Sequence, residues 1–314
     1  MDSLIISIVT WNSADSIKAC VRSVLDQSSS NFKLFLVDNA SADNTWDIIQ
    51  TFSDPRLTTI KFDVNKGFCG GHNHVLQNTK SEFVLLVNPD IILSTDYIEK
   101  ALNTIRSNDL IGTVCGLLLQ KPLNDPDCMI DSAGLTLLPS RIMSLHYHGK
   151  KPNEIALTKE EIFGADGALP LYRRKMIDDI SIDGQFFDER FFAHKEDWDV
   201  SWRAHIYGWK TIFDPACVAI HPRVFKPGNL KLRKNMSKQI KIDAVKNQLI
   251  LLLKNESTNS FFRNFFKIVP RQIMIFFYIL FAEPSSLKAY SYFIKNYSQI
   301  LQSRRIIQKN RKVN

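Results

Sequence analysis

The first ninety residues alternate between short apolar runs and amphipathic segments, and this alternation is the strongest constraint on the fold. The apolar runs, each long enough for one buried strand, cover residues 4–10, 32–37, 57–62 and 83–87. Helical spacing follows Ser13 and returns at 71–77. Continuous apolar strands separated by helices are typical of parallel sheets covered on both faces. We therefore predict an α/β fold with a mostly parallel sheet flanked by helices.

Polar side chains follow the strands of this predicted sheet. Thr10, Asp38, Asn65 and Asp90 come at or just after the four apolar runs, in that order. In open α/β sheets, ligands bind outside the carboxyl ends of the strands. We therefore expect these four side chains to border a binding site.

The middle of the chain is less regular. Residues 120–160 are rich in turn formers and predict loops with a hairpin. Order returns after Phe163, where we expect helices near 170–179 and 196–207 and a strand at 210–213.

Charge divides the chain into two unequal parts. Residues 231–314 hold 17 Lys or Arg against three Asp or Glu, a net charge of +14. The preceding 230 residues hold the other 23 basic and 29 acidic groups, a net charge of −6. The turn formers Pro227-Gly228-Asn229 lie close to this change. We therefore predict a catalytic-type domain at 1–228 and a basic, helical extension at 229–314.

The extension contains two apolar segments with different implications. Residues 238–253 have the pattern of an amphipathic helix, whereas 273–282 form a run of ten apolar residues, too short to span a bilayer core of about 30 Å. Phenylalanine-rich surface among Lys and Arg suits a helix at an anionic membrane surface. The alternative is a helical layer packed on the first domain or on a second subunit, as in a homo-oligomer.

Several protein classes are disfavoured. The five cysteines are odd in number and lack metal-ligand spacing, and no signal peptide is evident, so we expect a reduced, cytoplasmic setting. The basic extension raises the question of nucleic acid, but no known binding motif accompanies it and the body is acidic. The chain also lacks the dinucleotide fingerprint and the G-K-[ST] phosphate loop. We expect no nucleic-acid partner.

Three segments have residues suited to chemistry, and each alone has a plain structural alternative. The glycine-rich NKGFCGGHN at 65–73 suits close backbone approach to a phosphate, or a tight strand-to-helix turn. The run FVLLVNPD at 83–90 ends in an acid suited to Mg²⁺ or Mn²⁺, or to capping the next helix. The cluster EDWDVSWR at 196–203 suits a general base, or an acidic helix start paired with Arg203.

Taken in order, these segments resemble the family 2 glycosyltransferases with the GT-A fold, and among them the rhamnosyltransferase-like branch. The resemblance covers about residues 3–225. It rests on the ordered motifs TWN at 10–12, VDNASADNT at 37–45, NKGFCGGHN at 65–73, NPD at 88–90, GADGALPLYRR at 164–174 and EDWDVSWR at 196–203.

The resemblance implies a role for each motif residue. Asp197 corresponds to the base that deprotonates the acceptor, and Glu196 and Asp199 would support it or contact the acceptor. Asp90 corresponds to the acid that binds the divalent cation, Mg²⁺ or Mn²⁺. His221 matches a histidine that sometimes joins it, although a strand-end histidine without a ligand is an equal alternative. The residues expected to bind the nucleotide sugar are Thr10, Asn12, Asp38, Asn65, Gly67, Gly71, Asn73 and Asn88.

The implied function is an inverting, metal-dependent sugar transfer. The expected donor is dTDP-L-rhamnose, with UDP-activated galactofuranose, glucose or N-acetylhexosamine as alternatives. The expected acceptor is a cell-surface glycan or a polyprenyl-linked sugar at the inner face of the cell membrane. A non-catalytic sugar-nucleotide-binding protein of the same fold is a further alternative.

Overall fold

The structure, a computed structural model, describes residues 2–222, 233 and 235–313. The predicted domain boundary at 228/229 lies outside these described residues. Accordingly, the division into 1–228 and 229–314 stays a prediction.

The N-terminal half alternates strands and helices as predicted. Its elements are β1 (Asp2–Thr10), α1 (Ile17–Leu25), β2 (Lys33–Asp38), α2 (Thr45–Ile49), β3 (Leu57–Lys61), α3 (Gly67–Asn78) and β4 (Ser81–Val87). Helix α3 begins four residues before the predicted start at Gly71. The Asn65 side chain accepts a hydrogen bond from the backbone N–H of Gly67 at 2.8 Å, which satisfies a donor at the start of the helix.

The second half of the body contains strands that the sequence pattern did not predict. Its elements are β5 (Ile92–Leu93), α4 (Tyr97–Arg106), β6 (Ile111–Leu119), β7 (Ile130–Ser132), β8 (Leu135–Leu137), β9 (Met143–Leu145), β10 (Glu160–Ile162), β11 (Leu171–Arg173), α5 (Arg174–Ile180), α6 (Glu196–Ile206) and β12 (Lys210–Ile220). The hairpin expected within 120–160 is β8–β9. The helix expected at 170–179 is preceded by β11, so only its second part is helical.

One large sheet organises the body, in the strand order β10-β12-β6-β11-β4-β1-β2-β3. Strands β3, β2, β1 and β4 are mutually parallel, and β6 and β12 run in the same direction because β11 is antiparallel to both β4 and β6. The carboxyl ends of β2, β1 and β4 therefore lie side by side at one edge, which places the residues after them together.

From residue 238 onward, the described part of the extension forms five α-helices and packs on the body. They are α7 (Lys238–Asn255), α8 (Thr258–Arg263), α9 (Phe265–Ala282), α10 (Lys288–Lys295) and α11 (Tyr297–Lys309). Ile250 and Leu251 of α7 and Ile300 of α11 are fully buried in one cluster with Tyr172 and Trp202 of the body. The extension and the body thus share a hydrophobic core.

Helix α9 differs from the expectation for its segment. The ten apolar residues at 273–282 are the end of an 18-residue helix, which is about 27 Å long at 1.5 Å per residue. Among the described residues it is the one helix long and apolar enough to cross a membrane. Most of its surface faces outward: Phe266 is 88% exposed and Phe281 78%.

Candidate functional site

A buried polar pocket lies where β1 and β2 end. Thr10 and Asp38 are register partners on these neighbouring strands, and both side chains are buried. The Thr10 hydroxyl and one Asp38 carboxylate oxygen have no hydrogen-bond partner within the protein. Buried polar atoms are normally paired, so an unpaired hydroxyl beside an unpaired carboxylate oxygen indicates a polar ligand, one that donates a hydrogen bond to the carboxylate. A planar base with an N–H group fits this requirement.

Loop contacts fix the rim of this pocket. The Asn12 side chain accepts a hydrogen bond from the backbone N–H of Ala42 at 2.8 Å, and its backbone N–H donates to Ser41 at 3.0 Å. Asn12 is exposed and has a positive φ of 50°. It therefore joins the two loops that follow β1 and β2.

A second amide pair anchors the glycine-rich segment. Asn39 donates to the Asn65 side chain and to the Gly67 carbonyl, both at 3.0 Å, and accepts from the backbone N–H of Lys66 at 2.8 Å. Asn39 is buried and directly follows Asp38. This residue is absent from the predicted site, yet it links the end of β2 to the start of α3.

The glycines allow close packing of α3. A Cβ at Gly71 would lie 2.6 Å from the Val9 side chain on β1, and one at Gly67 would lie 2.4 Å from the Phe192 carbonyl oxygen. Gly67 also has a φ of +70°, which glycine adopts without strain. Both positions therefore require glycine for contact with the protein itself, and Gly67 touches the loop that precedes the acidic helix α6.

Asn73 is engaged within the protein. It donates to the Phe187 carbonyl at 2.8 Å and to Glu189 at 3.0 Å, and accepts from the Phe187 backbone N–H at 3.0 Å. Its side chain is buried. These bonds hold the 187–189 segment, so the structure favours a structural role over the predicted contact with a nucleotide.

Asn88 donates its backbone N–H to the Ala168 carbonyl at 2.8 Å, which joins the end of β4 to the 164–174 motif.

Asp90, His221 and Asp131 form a line of three side chains. The His221 Nε2 atom lies 3.5 Å from an Asp90 oxygen, while its Nδ1 atom lies 2.8 Å from an oxygen of fully buried Asp131. Burial lowers the pKa of His221, but Asp131 and Asp90 outweigh it and raise that pKa to about 9. The arrangement concentrates negative charge around one imidazole.

This line fits a divalent cation. A carboxylate that orients a histidine from behind is a common feature of metal sites. The described residues contain no converging group of three or more His, Cys, Asp or Glu that would form a full metal cage. Magnesium-type sites often use only one or two carboxylates with substrate phosphates, so the chemistry of Asp90 fits such an ion without a full cage.

Asp197 lies in the first turn of α6. One of its oxygens accepts a hydrogen bond from the backbone N–H of Trp198 at 2.8 Å, and the other accepts from the backbone N–H of Gly167 at 3.3 Å. The 164–168 segment thus abuts α6, where a Cβ at Gly164 would lie 2.2 Å from Ser201. Asp197 is only partly buried, and a carboxylate in this position can accept a proton from a bound molecule.

Glu196 is buried beside Asp197. Burial, reinforced by the charge of Asp197, raises the pKa of Glu196 well above its usual value. One of its oxygens is buried without a hydrogen-bond partner. A neutral carboxyl group with an unused oxygen is suited to hydrogen-bond a ligand hydroxyl.

Asp199 has a different environment from its two acidic neighbours. It is fully buried, and its oxygens accept from Arg203 at 2.9 Å, from Lys254 at 2.8 Å and from Asn255 at 2.8 Å. Lys254 also binds Asp188 at 2.7 Å. Contact with an acceptor would require breaking this network. The structure therefore favours a structural role over the predicted acceptor contact.

The loop before α6 is strained and is held by the extension. Phe192, His194 and Lys195 all have positive φ, which is uncommon for residues other than glycine. The Asn247 amide of α7 donates to three carbonyls of this loop, those of Phe191 at 3.1 Å, Ala193 at 3.0 Å and His194 at 2.7 Å. These bonds help to maintain a conformation that costs free energy.

The chain matches a known protein family and several curated proteins. The family described as Glycosyl transferase family 2 matches residues 5–181. An Escherichia coli relative, UDP-Glc:alpha-D-GlcNAc-diphosphoundecaprenol beta-1,3-glucosyltransferase WfaP, is 28% identical over 121 residues, which are 38% of this chain and 48% of that protein. The chain therefore spans about half the length of this relative.

Two solved structures are similar to the whole chain. One is the mannosyltransferase PcManGT from Pyrobaculum calidifontis, solved with GDP-Man and Mn²⁺, with a TM-score of 0.55 at 15% identity. The match covers 93% of this chain and 75% of the PcManGT chain. The other is TarS 1-349 from S. aureus, solved with UDP-GlcNAc, with a TM-score of 0.57 at 16% identity. The match covers 98% of this chain and 87% of the TarS chain. These likenesses confirm the predicted GT-A-like α/β fold.

Proposed function

We propose a specific reaction for this chain, which belongs to glycosyl transferase family 2. It transfers a sugar from a nucleotide-diphosphate donor to an acceptor hydroxyl, with inversion of configuration at the anomeric carbon. The observation that carries this proposal is the pair of unpaired, buried oxygens on Thr10 and Asp38 at the carboxyl edge of the sheet. A pyrimidine base has the N–H group that this pocket lacks. The end of β4, with Asp90, lies beside the same edge.

The residues of α6 would then act on the acceptor. Asp197 accepts the proton of the acceptor hydroxyl while that oxygen forms a bond to the anomeric carbon. The bond from this carbon to the diphosphate oxygen breaks on the opposite face, which gives inversion. Glu196, neutral because of its burial, donates a hydrogen bond that orients the acceptor. A general base at this step contributes about 10²- to 10⁴-fold to the rate.

Asp90 and His221 would hold the divalent cation. Bound there, Mg²⁺ or Mn²⁺ would neutralise charge that develops on the leaving diphosphate. PcManGT was solved with Mn²⁺, which supports a divalent cation as the cofactor. Asp131, which is absent from the predicted site, would orient His221 through its 2.8 Å hydrogen bond.

Replacing Asp131 with Asn should weaken Mn²⁺ binding by about 10- to 100-fold, the usual cost of removing an orienting partner. The measurement is a Mn²⁺ titration in the presence of UDP, followed by electron paramagnetic resonance of free Mn²⁺. Asp125→Asn, at an exposed turn outside this line, is the matched control. Unchanged Mn²⁺ affinity in Asp131→Asn would argue against His221 as a ligand.

The donor sugar has two candidates with separate support. The motif set resembles the rhamnosyl branch, which favours dTDP-L-rhamnose. The name of the relative WfaP favours UDP-glucose. Both donors carry a pyrimidine base and a diphosphate, so the Thr10 and Asp38 pocket suits either one.

A donor panel tests the proposed function directly. We expect a dTDP- or UDP-sugar to raise the Tm in the presence of Mn²⁺ and to release nucleoside diphosphate when an acceptor is added. GDP-mannose, which carries a purine base, serves as the control and should give a smaller shift. Binding without any release or transfer would favour a non-catalytic sugar-nucleotide-binding protein. No response to any pyrimidine donor would contradict the proposal.

The acceptor we propose is a polyprenyl-linked sugar at the inner face of the cell membrane. WfaP is named for a diphosphoundecaprenol-linked acceptor, which supports this class. The exposed phenylalanines of α9 and the charge of +14 in residues 231–314 suit peripheral contact with an anionic membrane.

A further inference from the structure

A group of polar side chains between α7 and α9 has donors without acceptors. Gln248 on α7 is buried, and its amide nitrogen has no hydrogen-bond partner. On α9, Nη1 of Arg271 and the amide nitrogen of Gln272 are also buried without partners. Val245 and Leu249 of α7 pack in the same cluster as Ile279 and Ile275 of α9, which brings the two helices together. Unpaired donors of this kind require an acceptor that the protein does not supply.

Lys195 joins this group from the strained loop. Its Nζ atom donates to the Gln248 carbonyl oxygen at 2.6 Å, so the Gln248 amide nitrogen is left for another partner. Burial, with Arg271 and Arg233 nearby, lowers the pKa of Lys195 to about 7, and Asp197 opposes that shift. Arg233 is neutralised by Glu283 at 2.7 Å. The positive charges of Lys195 and Arg271 remain and repel one another, and an anion bound beside both would relieve this repulsion.

The same two helices line an apolar groove next to this group. The groove has a volume of about 1040 Å³ and is lined by residues of the extension, among them Leu252, Ile268, Ile273, Phe276 and Phe293. Leu252 is one helical turn from Gln248, and Ile268 is one turn from Arg271. The unpaired donors therefore stand next to the groove on both helices. An amphiphile with an anionic head and an apolar chain matches this combination.

We infer that Lys195, Gln248 and Arg271 bind the diphosphate of a lipid-linked acceptor, with the first part of its isoprenoid chain in the apolar groove. This inference rests on the proposed function. Amide, ammonium and guanidinium donors match diphosphate oxygens, and charge-assisted hydrogen bonds of this type are the stronger ones. Lys195 lies two residues before Asp197, so a sugar attached to that diphosphate would lie near the general base.

The test compares Arg271→Gln with Arg263→Gln, a matched substitution at an exposed position of α8. Farnesyl diphosphate, inorganic pyrophosphate and farnesol are titrated into the full chain by calorimetry, and UDP with Mn²⁺ is titrated separately. We expect Arg271→Gln to weaken farnesyl diphosphate binding by roughly 10- to 100-fold, as for the loss of a charged hydrogen bond. Farnesol and UDP affinities should stay the same, and Arg263→Gln should resemble the unsubstituted chain.

The other arms identify the source of the anion. Pyrophosphate should bind the unsubstituted chain at least about tenfold more weakly than farnesyl diphosphate, because the groove adds contacts with the chain. Equal affinities would overturn the lipid assignment. Unchanged farnesyl diphosphate binding in Arg271→Gln, or a parallel loss of UDP binding, would overturn the site.

A second variant guards against a folding defect. If Arg271→Gln does not fold, Gln248→Leu takes its place, because it removes the unpaired amide at nearly constant volume. This variant should show the same selective loss of farnesyl diphosphate binding. Unchanged binding would overturn the site. Failure of the unsubstituted chain to respond to any dTDP- or UDP-sugar would contradict the proposed function alone. The comparison of farnesyl diphosphate affinities would still decide the site in the extension.

Discussion

Asp197→Asn should lower kcat by about 10²- to 10⁴-fold while donor binding stays within about twofold. Asparagine has nearly the same shape, and its oxygen can still accept the hydrogen bond from Trp198, but it cannot take a proton from the acceptor. Asp197 is only partly buried and lies outside the Lys254 network, so the Tm should change little. The measurement is steady-state transfer with the best donor of the panel, together with UDP titration.

Asp178→Asn is the matched control for this variant. Asp178 is exposed on α5, and its replacement should leave kcat unchanged. Transfer by Asp197→Asn within about threefold of the unsubstituted chain would assign the base to another residue. The first residue to examine would then be Glu196, whose unpaired oxygen lies beside Asp197.

Asp199→Ala should lower the free energy of unfolding by about 3–5 kcal/mol, because it leaves Lys254 and Arg203 buried without one of their partners. The expected fall in Tm is about 4–8 °C for a chain of this size. Asp178→Ala, exposed on α5, is the control and should shift the Tm little. The measurement is chemical denaturation followed by circular dichroism, with thermal unfolding in parallel.

A double variant tests whether the network acts as a unit. Lys254→Met alone should also destabilise the protein, because it leaves Asp188 and Asp199 without their shared cation. The pair Asp199→Ala with Lys254→Met should cost less than the sum of the two single changes, since contacting residues are not additive. Additive costs would show that the two side chains contribute independently.

The destabilisation by Asp199→Ala should also depend on pH. Burial raises the pKa of Asp199, but Arg203 and Lys254 outweigh it and hold that pKa below its ordinary value. A carboxylate with a lowered folded pKa stabilises the protein above its unfolded pKa of about 3.9, and this contribution is lost as the pH falls further. The difference between the unsubstituted chain and Asp199→Ala should therefore shrink below about pH 4.

The fold of the first ninety residues was predictable because its signals are local. Strands β1, β2 and β4 are largely apolar runs, and α1 repeats its buried apolar residues with helical spacing. Strand β11 gave no such signal, since its three residues merge with the helix that follows. Its position is set by pairing with β4 and β6, and such distant pairing is not readable from a short apolar stretch.

The site was predictable in part for a similar reason. Thr10, Asp38 and Asp90 stand at strand ends, and the topology of a parallel sheet alone brings them together. Asp197 and Asp199 are two residues apart but differ in environment, because only Asp199 binds Lys254 and Asn255 of α7, which no local pattern connects to it. Asn39 could have been predicted from the sequence, because it directly follows Asp38 within the VDNASADNT motif at 37–45. Asp131 and Asn247 had none.

Asn247 has a consequence for how this chain can change over time. One amide bridges three carbonyls of the loop next to Asp197, which lies beyond the family-matched residues 5–181, so this loop and the extension depend on each other. A recombination event between them would separate the loop from the side chain that holds it. Residues 188–199 and 247–255 should therefore be inherited as one unit, and hybrid enzymes should be joined outside both.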